Sequence, residues 1–518
     1  MLNMKRLSST LVFLTILSFM SCPAFAQKKQ VNANEYAVVV NRMLAQDSEW
    51  MKVVDELKEK HHAEVVIFEK HPEEVAEQLK MIFPRYVALV EKPENITRAY
   101  VQKMHKLSRR MDDDVFQDFL WGVVTGYDAD GALQLVRNAE SPLVIKTAMS
   151  IGAKLEKYSC FERSVYMDDF YWGKLTRDEQ GRERVGTYYS TWVDRERENT
   201  VKIDTVPFEE VSRKFAEEYR TLNPGLMVNT SNFQSGDLTF CRHYLRGKEG
   251  CLYIGFEKEK DIRLPDLGHS RVFLGMGSYS GAMPEAVDVI LACLKDGGVS
   301  GWAGYVYSRW HGQAAWGTWK LWMANPGRFS FSEAVYLNQQ FILSSLRDGA
   351  PKLVEIDYPL TENVTKDYLK QREQVMREIG QEIGLDQMGY LNERDIFVYY
   401  GDPKWEAKLD GKPEDLHYTV TTVKKGKRYI ITVRTDEHYK RQEMEGSRFQ
   451  EDPGMFNEKI IGRLPFIYFF PERLKNPRLA KELDFDGDVE LDENFLFIYG
   501  TYWEPDQTYT IVLSTDKD

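Results

Sequence analysis

Short apolar segments alternate with helical patterns along most of this 518-residue chain, and this alternation limits the fold more than any other feature. Such segments, rich in Val, Leu and Ile, are typical of strands buried on both faces of a parallel sheet. The predicted strands are 63–68, 86–90, 121–125, 143–147, 226–229, 271–276, 302–306 and 395–400. The fold class is therefore a doubly wound α/β domain with a mostly parallel sheet, and ligand chemistry is expected at the carboxyl ends of its strands.

The pattern changes at both ends of this region. Apolar residues at helical spacing over 34–60 predict an N-terminal helical segment at 27–60, before an α/β domain at 61–408. From residue 409 onward the segments alternate in the β manner and are separated by Lys-Gly and Asp-rich turns. The sequence therefore predicts a C-terminal antiparallel, β-sandwich-like domain at 409–518.

The first 26 residues have the parts of a signal peptide. Two basic residues precede an apolar stretch at 11–20, and Ala24 and Ala26 form a cleavage site before Gln27. The apolar stretch is shorter than the ~20 residues of a membrane-spanning helix, so no transmembrane segment is predicted. We expect an exported protein, periplasmic or extracellular. The alternative is a lipoprotein attached through Cys22.

The charge of the chain narrows its partners. A net charge of −12 and a pI near 5.5 disfavour nucleic acid and anionic membranes, which require a basic face. Oligomeric state has no sequence signal.

The cysteines indicate no zinc site. Cys160, Cys241, Cys251 and Cys293 lack the paired spacing that zinc ligands usually show. In an exported protein Cys241 and Cys251 are candidates for a disulfide, but the spacing does not determine the pairing.

Three stretches at predicted strand ends carry a family likeness: 227–231, 271–281 and 397–403, the last containing a Gly-Asp-Pro phrase. Together they resemble the gingipain-like branch of the caspase-like cysteine peptidases, with elements in the same order over residues 60–410. The chain is also similar to uncharacterised exported bacterial proteins that carry an aromatic-glycine stretch like that at 310–317.

The resemblance implies where a catalytic pair would lie. In that family one strand ends in the catalytic His, and the next ends in the nucleophilic Cys. Here the first position is Asn229 and the second falls in Ser278-Tyr279-Ser280, so both required side chains are substituted. The resemblance therefore implies a catalytically degenerate, secreted peptidase-like protein that acts by binding a peptide or protein.

A binding pocket is expected around the same strand ends. Gly277 and Gly281 precede a helix near Pro284, and a glycine-rich turn of this kind can line a pocket with backbone amides. Trp310 and His311 are expected beside it. Trp302, Trp316 and Trp319 fit either aromatic walls or ordinary core packing.

Three alternatives remain. Ser278 or Ser280 as a nucleophile needs a neighbouring base, and His269 is placed at the opposite end of the same strand. Cys293 lies within a helical pattern and is expected to be structural, although an active cysteine-type endopeptidase with an unrecognised nucleophile is the runner-up. The third alternative is an envelope structural or interaction module.

One acidic turn resembles the start of a calcium loop. Asp484, Asp486 and Asp488 alternate as calcium ligands do, but the turn lacks the glycine and the final glutamate of that motif. The turn is therefore either a calcium-binding site or an ordinary solvated acidic turn, and no other cofactor is predicted.

Overall fold

The computed structural model describes most of the chain after residue 34. The described ranges are 35–153, 155, 159–167, 171–177, 183–184, 188–190, 203–205, 210–234, 237–240, 243–256, 261–283, 287–310, 312–360, 364–411, 416–440 and 465–516. The predicted signal peptide, Cys22, Gln27, Cys241 and His311 lie outside the described residues.

Strands and helices alternate from the start of the described region. The elements up to residue 151 are β1 (Tyr36–Asn41), α1 (Ser48–His61), β2 (Glu64–Phe68), α2 (Ala76–Ile82), β3 (Tyr86–Val90), α3 (Arg98–Ser108), β4 (Leu120–Val124), α4 (Ala129–Asn138), β5 (Leu143–Ile145) and β6 (Thr147–Ile151).

The middle of the chain contains the remaining helices. Its elements are β7 (Arg163–Met167), β8 (Tyr171–Arg177), β9 (Glu183–Arg184), β10 (Tyr188–Ser190), β11 (Ile203–Thr205), α5 (Val211–Leu222), β12 (Leu226–Asn229), β13 (Phe233–Gln234), β14 (Asp237–Phe240), β15 (His243–Lys248), β16 (Cys251–Phe256), β17 (Ile262–Arg263), β18 (Arg271–Gly275), α6 (Val287–Lys295), β19 (Val299–Tyr305), α7 (Gln313–Met323), α8 (Phe331–Gly349), α9 (Val364–Ile379), α10 (Leu385–Glu393), β20 (Phe397–Gly401) and β21 (Ala407–Leu409).

The C-terminal elements are strands. They are β22 (Tyr418–Lys425), β23 (Arg428–Thr435), β24 (Phe466–Phe469), β25 (Arg478–Leu479), β26 (Asp488–Leu491), β27 (Phe495–Tyr499) and β28 (Thr508–Ser514). None of the helices in the described residues combines the length and apolar character that crossing a bilayer requires.

A large, mostly parallel sheet dominates the fold, as predicted. In the described part of the chain its 14 strands run in the order β11-β10-β8-β7-β6-β12-β18-β19-β20-β4-β3-β1-β2, with β9 on β8. Strands β2-β1-β3-β4 are all parallel, and we call them the first half-sheet. Strands β19-β18-β12-β6-β7 are also all parallel, and we call them the second half-sheet. Strand β20 lies between them and is antiparallel to β19.

The helical prediction for 34–60 is wrong at its beginning. Tyr36–Asn41 is a strand in the interior of the first half-sheet, paired with β2 and β3, and its residues Tyr36 to Val40 are buried. Val38 and Val39 mimicked helical spacing, but a β-branched run buried on both faces favours a strand. The helix α1 follows as predicted, and Asp47 caps it by accepting a hydrogen bond from the Glu49 amide.

The segment predicted as one strand at 143–147 is two strands. Leu143–Ile145 pairs with β21 in a small separate sheet, and Thr147–Ile151 enters the second half-sheet. The five-stranded antiparallel sheet β13-β14-β15-β16-β17 between β12 and β18 was not predicted.

The described residues after 409 form two antiparallel sheets, in the orders β22-β23-β28-β25 and β24-β27-β26. Alternation along β27 divides its side chains between two cores. Leu496 and Ile498 pack in a core within these C-terminal sheets, whereas Phe495, Phe497 and Tyr499 belong to the core of the main sheet. This strand therefore contributes to both cores.

Candidate functional site

The two strand ends singled out by the sequence lie side by side. Strands β12 and β18 are parallel neighbours, and Asn229 is in register with Gly275, the last residue of β18. We call residues 229–232, 277–281 and 307–310 the strand-end site. It lies at the carboxyl ends of β12, β18 and β19, where parallel sheets usually carry ligand chemistry.

Asn229 serves the local backbone. Its side chain is fully buried, its Nδ2 donates to the Ser231 carbonyl over 2.9 Å, and its Oδ1 accepts from the Ser231 amide over 3.1 Å. These two bonds close a turn. A carboxamide has no basic nitrogen, so Asn229 cannot accept a proton from a nucleophile.

The two serines are held by backbone groups. The Ser280 hydroxyl is fully buried, donates to the Gly275 carbonyl over 2.9 Å and accepts from the Tyr305 amide over 3.1 Å. The Ser278 hydroxyl accepts from the Arg309 amide over 3.2 Å. Among the described residues no imidazole hydrogen-bonds to either hydroxyl, and His269 precedes β18 at its opposite end, as the sequence indicated.

The amides of the turn are also used internally. The Tyr279 and Gly281 amides donate to the Tyr307 and Tyr305 carbonyls over 3.2 and 2.9 Å. The Ser278 amide donates to the Asn232 side chain over 2.9 Å. These three amides already have acceptors within the protein, so they are not available to line the predicted pocket, and residues 284–286, at the predicted start of its helix, lie outside the described residues.

Close packing explains the glycines instead. A Cβ on Gly277 would lie 1.8 Å from the Ser231 carbonyl oxygen, and one on Gly281 would lie 2.7 Å from the backbone of Gly304. Both positions therefore require glycine for close backbone approach. Tyr279, between them, has a φ of 61° in the left-handed region, a conformation that costs a non-glycine residue free energy and often occurs at functional sites.

Two aromatic side chains of the site are partly accessible. Half-buried Tyr279 packs edge-on against Tyr307 at a centroid distance of 5.8 Å, and half-buried Trp310 stacks on Tyr368 at 5.0 Å. Trp302 is fully buried and stacks on Phe273, while Trp319 is also buried, so these two tryptophans are core residues.

Arg98, the first residue of α3, contacts the strand-end site, and sequence analysis missed this contact. Its guanidinium lies 3.5 Å from the Tyr307 ring centroid and 5.0 Å from that of Tyr358, and it donates to Asn392 over 2.9 Å. No local pattern connects residues so far apart in sequence. Arginine between aromatic rings stabilises this edge by cation–π contact.

Cys293 is a core residue, as expected. It lies on α6 and is fully buried, and burial raises the pKa of its thiol well above the usual range. A thiol held protonated is a poor nucleophile. Cys160 is also buried and Cys251 is half-buried.

The acidic turn does not gather its carboxylates. Asp484, Asp486 and Asp488 are all exposed, and they are absent from the described groups of acidic ligands that lie within 4.8 Å of one another. The calcium site considered at this turn is therefore not formed by these three side chains.

A second candidate site is a cavity of about 570 Å³ at the carboxyl ends of β1, β2 and β3. Strand β1 lies between β2 and β3 in the sheet. The chain therefore continues from β1 to β2 on one side and then crosses to β3 on the other side. Parallel sheets bind ligands at such switch points. The cavity is lined by Asn41, Met43, Leu44, Phe68, Lys70, His71, Pro72, Glu91, Lys92, Asn95, Thr97, Ala99, Tyr100 and Lys103.

The polar groups of this cavity include one buried hydroxyl without a partner. Tyr100 is 9% exposed, and its hydroxyl makes no hydrogen bond among the described residues. Burial, and then the Glu91 carboxylate, raise the pKa of Tyr100 well above its usual range. Burial also raises the pKa of Glu91, against hydrogen bonds from Asn95 and the Lys92 amide. A strand at β1, followed by β2 and β3, would have indicated this cavity. Sequence analysis missed it because it predicted β1 as helical.

No protein-family model and no curated protein match the chain. Solved structures overlap it loosely. The Arg-specific cysteine proteinase gingipain R has a TM-score of 0.37 at 10% identity, covering 94% of this chain and 92% of that one. The complex of Porphyromonas gingivalis RgpB pro- and mature domains has a TM-score of 0.33 at 10% identity, covering 93% and 94%. A structure described only as a protease has a TM-score of 0.32 at 8% identity, covering 94% and 96%.

Proposed function

We propose that this chain is an exported, gingipain-like protein that does not hydrolyse peptides and acts by binding a peptide or protein at the strand-end site. The observation that carries the proposal is that the side chains of Asn229, Ser278 and Ser280 are all hydrogen-bonded to backbone groups. Acyl transfer needs a nucleophile, a base within hydrogen-bond reach and donors for the oxyanion.

Accessible aromatic groups support binding at this site. Tyr279 and Trp310 are half-buried, and Arg309 beside them is half-buried as well. Aromatic and arginine side chains contribute most strongly to peptide and protein interfaces. Export to the periplasm or the cell exterior is part of the proposal and rests on the leader at residues 1–26.

We expect the mature chain to retain members of a peptide library and to release them intact. Tyr279→Ala and Trp310→Ala should each weaken binding of a retained peptide about tenfold, because tyrosine and tryptophan are enriched among the interface residues whose truncation costs over 1 kcal/mol. Fluorescence anisotropy gives the affinity, and mass spectrometry of the released peptides reports cleavage.

Tyr502→Ala is the control for this experiment because Tyr502 is 66% exposed and lies in the loop between β27 and β28. Cleaved peptides whose production stops in Ser278→Ala, Cys293→Ala or His311→Ala would contradict the proposal and favour the active-peptidase alternative. Equal binding by Tyr279→Ala, Trp310→Ala and Tyr502→Ala would exclude the strand-end site.

The cavity at β1–β3 favours a second candidate function, the binding of a small anion that carries a hydrogen-bonding group. Lys70, Lys92 and Lys103 line it. Lys92 lies 3.3 Å from Asp47 and Lys103 lies 3.7 Å from Glu73, whereas Lys70 has no ion-pair partner among the described residues. The volume of the cavity, about 570 Å³, falls within the range of small-molecule sites, about 300–1,000 Å³.

We expect phosphate or citrate to raise the melting temperature of the mature chain, because a ligand that binds only the folded state stabilises it. Lys70→Ala and Tyr100→Phe should weaken this binding about fivefold, since each removes one polar contact. Lys80→Ala, on exposed Lys80 of α2, is the matched control. Identical titrations for all three variants would place the anion elsewhere.

A further inference from the structure

Five carboxylates from two distant parts of the chain gather at one place. Asp112, Asp114 and Asp118 lie between α3 and β4, whereas Asp492 and Glu493 lie in the turn between β26 and β27. They form two groups that share Asp112, one with Asp114 and Asp492 and one with Asp118 and Glu493. Within each group the ligand oxygens lie within 4.8 Å of one another.

Positive charge compensates only part of this cluster. Arg473 donates to Asp118 over 2.9 Å and to Glu493 over 3.3 Å. Asp112 and Asp114 accept hydrogen bonds from nearby backbone amides, those of Asp114 and Phe116. Among the described residues, Arg473 makes the ion pairs found in this cluster, so its carboxyl groups outnumber their cationic partners.

One oxygen of the cluster has no hydrogen-bond partner. Asp492 is 4% exposed, and its Oδ2 accepts no hydrogen bond among the described residues. A buried carboxylate oxygen is normally paired with a donor or a metal ion. The carboxylate oxygens around it are acceptors and cannot donate a hydrogen bond to it. A cation, by contrast, can bind this oxygen and its neighbours together.

We propose that Asp112, Asp114, Asp118, Asp492 and Glu493 form a calcium-binding site. The donors are all carboxylate oxygens, whereas zinc prefers histidine and cysteine. Calcium accepts six to eight oxygen ligands in irregular geometry, while Mg²⁺ requires a near-ideal octahedron and retains waters. The irregular spread of five carboxylates over two loops therefore fits calcium.

Calcium at this position would link the loop before β4 to the turn before β27. Strand β4 belongs to the first half-sheet, and β27 belongs to the C-terminal sheets. The ion would hold two segments whose negative charges otherwise repel each other. It therefore acts on stability, independently of peptide or anion binding.

The test is calorimetric titration of the purified mature chain with calcium chloride, together with thermal melts in chelator and in calcium. We expect saturable binding and a melting temperature several degrees higher in calcium. Asp492→Asn and Asp112→Asn should weaken calcium binding at least tenfold. In chelator neither variant should melt below the unsubstituted chain, because each removes one of the repelling charges.

Asp486→Asn in the exposed acidic turn is the matched control and should bind calcium as the unsubstituted chain does. Loss of binding in Asp486→Asn but not in Asp492→Asn would place the ion at that turn and overturn the proposal. Tighter binding of Mg²⁺ than of Ca²⁺, or the absence of saturable calcium binding, would overturn it as well. Exposed Asp112 keeps the test informative if Asp492→Asn fails to fold.

Discussion

Asp402→Asn is expected to lower the free energy of unfolding by about 3 kcal/mol. The Asp402 carboxylate is fully buried at the end of β20. One oxygen accepts from the Tyr36 hydroxyl over 2.9 Å, and the other lies 2.6 Å from His61 Nε2 and 3.0 Å from Lys60 Nζ. An asparagine amide group would direct its own donors at one of these pairs, leaving buried groups unsatisfied.

This network connects β1 and α1, near the start of the described chain, to the residue that follows β20. Tyr36 opens β1, and Lys60 and His61 end α1, while Asp402 follows the strand that joins the two half-sheets. The Tyr36 ring also stacks on His61 at 4.2 Å. Loss of the carboxylate should therefore affect global unfolding rather than one loop.

The measurement is urea unfolding followed by circular dichroism. Asp410→Asn is the matched control, because Asp410 is 42% exposed and lies 3.7 Å from Lys146, an exposed pair worth under about 1 kcal/mol. Equal unfolding midpoints for both variants would contradict the role assigned to Asp402.

The pH dependence has a defined sign. Burial opposes ionisation of Asp402, but the hydrogen bond and charge of His61 and the charge of Lys60 hold the pKa of its carboxyl well below the usual range. A lowered folded-state pKa contributes stability above the unfolded value of about 4, and this stability is lost as the pH falls below it. Asp402→Asn should therefore lose less stability on acidification than the unsubstituted chain does.

Removal of residues 410–518 is expected to abolish cooperative folding of the remainder. Phe497 stacks on Phe341 at 4.4 Å, and Phe495 packs edge-on against Phe116 at 5.2 Å. Each buried aromatic side chain contributes about 1.5–3 kcal/mol. Three such side chains of β27 enter the main core, including Tyr499, so their loss removes a large part of a typical stability of about 5–15 kcal/mol.

Polar contacts across the same boundary add to this loss. Arg473 pairs with Asp118, which is buried before β4, and Asn494 Nδ2 donates to the Asp118 carbonyl over 2.8 Å. Truncation would remove both the arginine that pairs with Asp118 and the amide that donates to its carbonyl, and each such hydrogen bond typically contributes about 0.5–1.5 kcal/mol.

Calorimetry of residues 27–518 and 27–409 tests this expectation. A sharp transition and a near-ultraviolet circular dichroism spectrum in the shorter chain would show that the α/β part folds by itself. As a control, proteolytic nicking within 404–415 should leave two pieces that co-elute, because the noncovalent contacts of β27 and Arg473 remain.

Local patterns predicted the elements that carry their own signal. Tyr86–Val90 and Leu226–Asn229 have the predicted bounds, because each is a buried run with clear turns on either side. Tyr36–Asn41 was mistaken for helix because six residues of valine-rich sequence satisfy either period when their partner strands are unknown.

The sequence by itself determined that the sheet is mostly parallel, and the resemblance implied that Asn229 lies beside the end of β18. Both follow from the order of elements along the chain, which restricts how parallel strands can pair. Tertiary structure decided the state of each candidate site. Three contacts illustrate this: the hydrogen bond between the Ser280 hydroxyl and a backbone carbonyl, the arginine that packs on Tyr307, and the approach of Asp112 to Asp492. Each depends on how the folded chain brings its segments together. Hydrogen bonds and charge repulsion act over a few ångströms of space, so no local periodicity encodes them.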